Sequence, residues 1–123
     1  MKPIELNIES FVQNVEKDGI FIIDFWASWC APCRAFAPIF EAAAEKHEDI
    51  VWGKVDTDAQ VELATELGIR SIPTLMVFRD GVLLLSQPGA LPADLLDEIV
   101  EKTRTIDMAE VRRQIAEAET AAE

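Results

Sequence analysis

Ile20-Phe21-Ile22-Ile23-Asp24-Phe25-Trp26-Ala27-Ser28-Trp29-Cys30-Ala31-Pro32-Cys33 runs an almost unbroken apolar stretch into two cysteines three residues apart. A β-rich run of this kind predicts a strand covered on both faces, as in a parallel sheet layered by helices. Pro32 sits where a helix can begin, since its fixed φ suits the first turn and its missing N–H would find no partner there. The stretch therefore reads as strand, short loop, helix, with both thiols at the helix start.

Moving outward from it, Gly and Pro punctuation and hydrophobic period give the remaining elements. Ile4 to Asn7 is a short, weak strand, and Glu9 to Lys17 is a helix with Phe11, Val12 and Val15 on one face, ended by the Asp18-Gly19 turn. The helix that follows the cysteines runs to about His47, with Pro38 inside it as a kink. Ile50 to Val55 is the next strand, and Val61 to Leu67 a short helix closed by Gly68. Thr74 to Phe78 and Val82 to Ser86 flank Arg79-Asp80-Gly81 as an antiparallel hairpin. Pro92 then opens a helix carrying Leu95, Leu96, Ile99 and Val100. The order β-α-β-α-β-α-β-β-α predicts one α/β domain with a mixed sheet over residues 1–105.

Residues 106–123 form an extension. Asp107, with Glu110 three residues on, is compatible with a capping-box start, and Met108, Val111, Ile115, Ala118 and Ala122 make a narrow apolar stripe at helical spacing. Such a helix either lies on its own domain or engages a partner or a second copy.

With 123 residues, half of them hydrophobic, the chain has globular composition and can bury a core without staples. Its net charge of −12 is spread evenly over both halves, with no basic cluster. Nucleic acid and anionic membranes are thereby excluded as partners, because both are held by grouped Lys and Arg. No apolar run is long enough to span a bilayer. Lys2 is followed by an acid, Glu5, where a signal core would be apolar, so the expected location is cytoplasmic. Two cysteines are too few for a secreted disulfide framework.

The chemistry rests on those two. Cysteines three apart at a helix start bring their sulfurs within disulfide range. Unpaired N–H groups and the helix dipole stabilise an anion there, so the Cys30 thiol is the one whose pKa falls. A Cys30 thiolate can attack a substrate disulfide, and Cys33, one turn in, can resolve the mixed disulfide. A zinc site would need two further ligands, and His47 is the sole other candidate, so such a site is excluded within one chain. A site shared in a dimer and an inert core pair are weaker readings. Asp24, inside an apolar strand, is costly if buried as an anion; burial would raise its pKa and fit it for moving protons near neutrality. A structural, hydrogen-bonded acid is the alternative. On sequence alone Pro73 is only a rigid strand entry.

Asp24-Phe25-Trp26-Ala27-Ser28-Trp29-Cys30-Ala31-Pro32-Cys33-Arg34 resembles the active-site segment of the thioredoxin family. The resemblance extends over about residues 4 to 103, with Ala31 where the family usually has glycine. It implies a thioredoxin fold, a central mixed sheet with helices on both faces, plus the extra C-terminal helix. It implies that Asp24 accepts the proton of Cys33, that Lys54 is the lysine found near this acid, and that Pro73 is cis and faces the cysteine pair. Ile72 would offer its backbone to an extended client, and Trp29, Ala31, Pro32, Ile72, Gly89 and Ala90 would form an apolar client surface. For Gly89 a plain turn role stands equally open; Arg34 and His47 read as a solvated and a helix-end residue, and Trp26 as mainly core. The implied activity is protein disulfide reduction with no bound cofactor, electrons coming from NADPH through a flavin-dependent thioredoxin reductase. Partners would be that reductase and disulfide-containing clients, with the chain a monomer or a dimer through its last helix. A thiol oxidase or isomerase on the same fold, and a chaperone-like client-binding module, remain as rival readings.

Overall fold

A computed structural model describes residues 2–122; Met1 and Glu123, the ends of the two predicted spans, lie outside the described residues. The strands are β1 (Ile4–Glu5), β2 (Ile20–Trp26), β3 (Val51–Asp56), β4 (Thr74–Arg79) and β5 (Val82–Pro88); the helices are α1 (Ile8–Val15), α2 (Ala31–Lys46), α3 (Val61–Glu66), α4 (Ala93–Thr105) and α5 (Met108–Ala122). The strands form one sheet in the order β1-β3-β2-β4-β5. β1, β3 and β2 are mutually parallel, whereas β4 runs antiparallel to β2 and β5 antiparallel to β4. The predicted order of elements is the observed one.

Strand β2 is central because its side chains are apolar on both faces. Phe21, Ile23 and Phe25 enter one core with Phe11 of α1 and Leu63 of α3. Ile22 enters the other, with Phe36 and Phe40 of α2, Trp52 of β3, and Leu96 and Val100 of α4. Each such side chain contributes about 1.5–3 kcal/mol by leaving water. Two helical layers thus clamp the strand that leads to the cysteines, which fixes where α2 starts.

Several local readings need adjustment. Asn7 ends no strand; it caps α1, its Oδ1 accepting the Ser10 N–H at 2.9 Å while Ser10 Oγ accepts the Asn7 N–H. Val12 and Leu95, placed on buried faces by period, are exposed. α2 continues through Pro38 to Lys46. β5 runs two residues past Ser86, and a register shift opposite Val77 and Phe78 absorbs the irregularity. Asp80 and Gly81 both take positive φ in the hairpin turn, the conformation a two-residue turn of this hand demands.

Among the described residues helix α5 is anchored chiefly at its root, with Arg112 Nη2 3.7 Å from Asp80 Oδ2 as a further tie. Met108 is buried and Val111 half-buried, but every described residue from Arg112 onward is exposed, so the expected stripe rests on the domain for about one turn. Asp107 Oδ1 accepts the Glu110 N–H at 3.2 Å, which is half of a capping box; the Glu110 carboxylate turns to Arg113 instead of completing it. Arg79, at the end of β4, donates through one guanidinium nitrogen to the carbonyls of Thr103, Arg104 and Ile106, closing the end of α4 at the junction with α5. Among the described residues no helix is long and apolar enough to cross a membrane.

Candidate active site

Strand β2 ends at Trp26, and Cys30 sits one residue ahead of α2 with extended backbone (φ −87°, ψ 110°) as its N-cap. A cap normally uses a side-chain oxygen to accept a first-turn N–H. Here Cys30 Sγ takes that place, lying 3.2 Å from the N–H of Cys33. Ala31 and Pro32 fill the first two helical positions, so the N–H that Pro32 lacks is one that no helix carbonyl could have reached. The two sulfurs are joined in a disulfide, with Cα atoms 5.2 Å apart. Both cysteines are nearly covered, Cys33 scarcely more than Cys30. They pack with Ala27, Trp26 and Ile72.

Opposite the helix start, the Ile72–Pro73 peptide bond is cis and Cys30 Sγ lies 3.7 Å from the Ile72 carbonyl oxygen. Pro73 is buried and Ile72 half-buried. The Gly89 N–H donates to the Pro73 carbonyl at 2.8 Å. Gly89 needs to be glycine for its own backbone, with φ +98°, and open space surrounds the position of a Cβ, so both readings of this residue have a structural basis. Ala31, Pro32, Gly89 and Ala90 are exposed. Trp29 is 67% exposed, its ring held by a hydrogen bond from Nε1 to Asp58 Oδ2 at 2.9 Å. Of the predicted surface residues, Ile72 packs on the cysteines, Trp29, Ala31 and Pro32 adjoin them in the chain, and Gly89 is tied to Pro73.

Asp24 is fully buried in β2, and among the described residues neither carboxylate oxygen meets a hydrogen-bond donor. Burial, the largest cause, pushes its pKa up to about 7; the negative Glu5 pushes the same way and the Lys54 ammonium opposes. Lys54 is the cross-strand register partner of Asp24, half-buried, with Nζ 5.1 Å from the centre of the Trp26 ring. A cavity of about 260 Å³ is lined by Lys54, Trp26, Cys33, Arg34 and Ala37, which puts the ammonium and the second sulfur on the same space. Arg34 donates to the Ser28 carbonyl at 2.9 Å and so braces the loop before the cysteines.

Two readings move. Trp26 is only half-buried and its indole nitrogen is unpartnered among the described residues, while Trp52 is the fully buried core tryptophan. His47 is buried far from the sulfurs in sequence and contact, between Asp97 (Nε2 to Oδ1, 3.2 Å) and Arg104 (3.3 Å from Nδ1). A larger, apolar cleft of about 390 Å³ between α1 and α3 touches none of the predicted chemical residues.

A family profile described as Thioredoxin matches residues 2–102. A curated relative called putative thioredoxin 2, from Streptomyces coelicolor, is 50% identical over 119 residues, covering 97% of this chain and 89% of the relative. The chain belongs to the thioredoxin family. A thioredoxin from Coprinus comatus is 40% identical over 99 residues, covering 79% of this chain and 92% of its own. Among solved structures, a thioredoxin from Malassezia sympodialis superposes with a TM-score of 0.73 at 32% identity, covering 82% of this chain and 91% of that one. One from Plasmodium falciparum gives 0.74 at 29%, covering 80% and 97%. This thioredoxin-family chain is a protein disulfide oxidoreductase working by dithiol–disulfide exchange through Cys30 and Cys33.

One contributor escaped the sequence reading. Glu5 of β1 pairs in register with Lys54 on the side opposite Asp24. No local pattern marks it; the signal lies in strand order, which a sequence read element by element does not supply.

Proposed function

We propose that the protein reduces client disulfides in the cytoplasm, with Cys30 attacking, Cys33 resolving and Asp24 handling the proton. The observation that carries the order of attack is the cap itself. Cys30 Sγ accepts the Cys33 N–H at the start of a sixteen-residue helix, so a thiolate at Cys30 gains both a hydrogen bond and the dipole. The Cys30 thiolate attacks a client disulfide, forming a Cys30–client bond and expelling the other client sulfur as a thiolate. Cys33 then loses its proton and attacks Cys30 Sγ, forming the intramolecular disulfide and releasing the second client sulfur.

Asp24 is the acceptor for that proton. Its pKa of about 7 matches the operating pH, and its register partner Lys54 borders the cavity that Cys33 also lines. Lys54, which borders that cavity, links the space beside Cys33 to its register partner Asp24. Pro73 positions Ile72, whose backbone would pair with an extended client, and Trp29, Ala31, Pro32, Gly89 and Ala90 supply apolar contact that is indifferent to client sequence. Electrons for turnover come from NADPH through a flavin-dependent thioredoxin reductase. That reductase and unfolded or loop-exposed disulfides are the partners of a protein that acts as a monomer.

The test is Cys33→Ser. The variant should accumulate a covalent complex with a disulfide client through Cys30, visible as a mass shift that a reductant reverses. A variant that captures nothing, or a Cys30→Ser protein that captures through Cys33, would sink the assigned order.

A further inference from the structure

Across β1, β3 and β2 the parallel registers place Glu5, Lys54 and Asp24 in one row, with the lysine in the middle. Residues in one row of paired strands point to one face of a sheet. Here that face is covered by α2, because Ile22 and Trp52, two positions back along β2 and β3, pack with Phe36 and Phe40. Lys54 therefore lies between two carboxylates of different standing. Asp24 is sealed in the central strand, whereas Glu5 is on the exposed edge strand. Lys54 also lines two cavities, the one shared with Cys33 and a second of about 290 Å³ shared with Lys2, Glu5, Glu41 and Glu45. The ammonium stands at the boundary between the thiol site and an acidic cleft.

We infer that Glu5 is a positioning residue for the thiol chemistry, competing with Asp24 for the charge of Lys54 and so keeping Asp24 receptive to a proton. The inference rests on the reading of Asp24 as the acceptor of the Cys33 proton. The charged groups around Lys54 are Asp24 on β2, Glu5 and Lys2 at β1, Asp56 on its own strand, and Arg34, Glu41 and Glu45 on α2. Glu5 is not a bystander among them. Its own pKa is raised, first by partial burial and further by Asp56, against the pull of Lys54. Glu5 in turn disfavours ionisation of Asp24, and Lys54 favours it. An edge-strand acid can thus set the proton affinity of a buried one without touching a sulfur.

The sign follows from charge alone. Glu5→Gln removes a negative group, frees Lys54 to support the Asp24 anion, and lowers the pH at which Asp24 ionises. The probe is carbon NMR titration of the Asp24 carboxyl in the full chain, read alongside the pH profile of resolution of a Cys30–client mixed disulfide. In Glu5→Gln the Asp24 midpoint should fall by about half a pH unit, the kinetic profile moving with it. Glu5→Asp should restore most of the difference. In a Lys54→Met background the effect of Glu5→Gln should shrink by at least about half, since the competed charge is gone.

An unmoved Asp24 midpoint would overturn the inference. So would an equal shift in Glu45→Gln, which would make the effect one of general surface charge, or an undiminished shift without Lys54. If the carboxyl midpoint moves while the kinetic profile stays still, Glu5 tunes Asp24 as inferred and it is the acceptor role of Asp24 that fails.

Discussion

The two ends of α2 treat polar groups in opposite ways. At its start, Cys30 caps the helix with sulfur, and among the described residues buried Asp24 meets no donor and the buried Trp26 N–H meets no acceptor. At its finish, Lys46 and His47 both meet Asp97, Arg104 meets Asp49 and the His47 ring, and the Trp52 N–H donates to the His47 carbonyl at 3.0 Å. Asp49 and Asp97 are accordingly held below the usual carboxylate range, Asp49 chiefly by Arg104 and Asp97 chiefly by Lys46. One end is satisfied and joins α2 to α4; the other is left wanting, and that is where the chemistry is. Unsatisfied buried groups cost stability, so a fold keeps them where their readiness to change partner or protonation state has a use.

The largest break in this contrast is Asp24→Asn. It removes the proton acceptor, and loss of a positioned acid or base costs about 100-fold or more in the step it serves, here mixed-disulfide release at pH 7 followed by stopped-flow fluorescence. Stability should move the other way. Folded Asp24 holds its proton up to a pKa of about 7, whereas the unfolded acid ionises near 3.8, so the folded state binds more protons between those values. Its contribution to stability therefore falls as pH rises through that window and is least favourable above 7. Asparagine escapes this penalty, and urea unfolding at pH 8 should show the variant more stable by up to about 4 kcal/mol, with the gain vanishing near pH 4.

At the other end of α2 the signs reverse. His47→Ala opens a hole beside Trp52 and unpairs Asp97 and Arg104; it should cost roughly 1–3 kcal/mol in urea unfolding and leave the release rate unchanged at permissive temperature. A changed release rate would mean that the two ends communicate along the helix. The smallest effect belongs to α5, where Arg113 pairs with Glu110 and Glu117 on an exposed surface. Arg113→Ala should leave the urea midpoint within experimental error of the parent and client reduction untouched.

Legibility in the sequence follows range of interaction. Cys30, Pro32 and Cys33 act within one turn, and the Arg79-Asp80-Gly81 turn within one hairpin, so short stretches suffice to read them. Asp24 was readable because a charge inside an apolar run is anomalous wherever it falls. The Glu5–Lys54 pairing, by contrast, depends on β1 joining the outer edge of β3, and the Asp49–Arg104 and Lys46–Asp97 pairs join residues more than fifty positions apart. Period misplaced Val12 and Leu95 because a helical stripe gives a face but not where its buried centre lies. Trp26 is less buried than expected for a similar reason, since depth in a sheet is set by neighbouring strands. The exposed length of α5 follows from what the rest of the domain offers it to lie on, which its own stripe does not report.

Strand β4 has Pro73 just before its first residue and Arg79 as its last. Six extended residues span about 20 Å, so the guanidinium that secures the root of α5 stands a full strand length from the cis Ile72–Pro73 bond beside Cys30. Cargo, a surface or a second domain fastened to α5 would be carried from the opposite end of that strand, and the protein could be tethered there while its disulfide continued to exchange with clients.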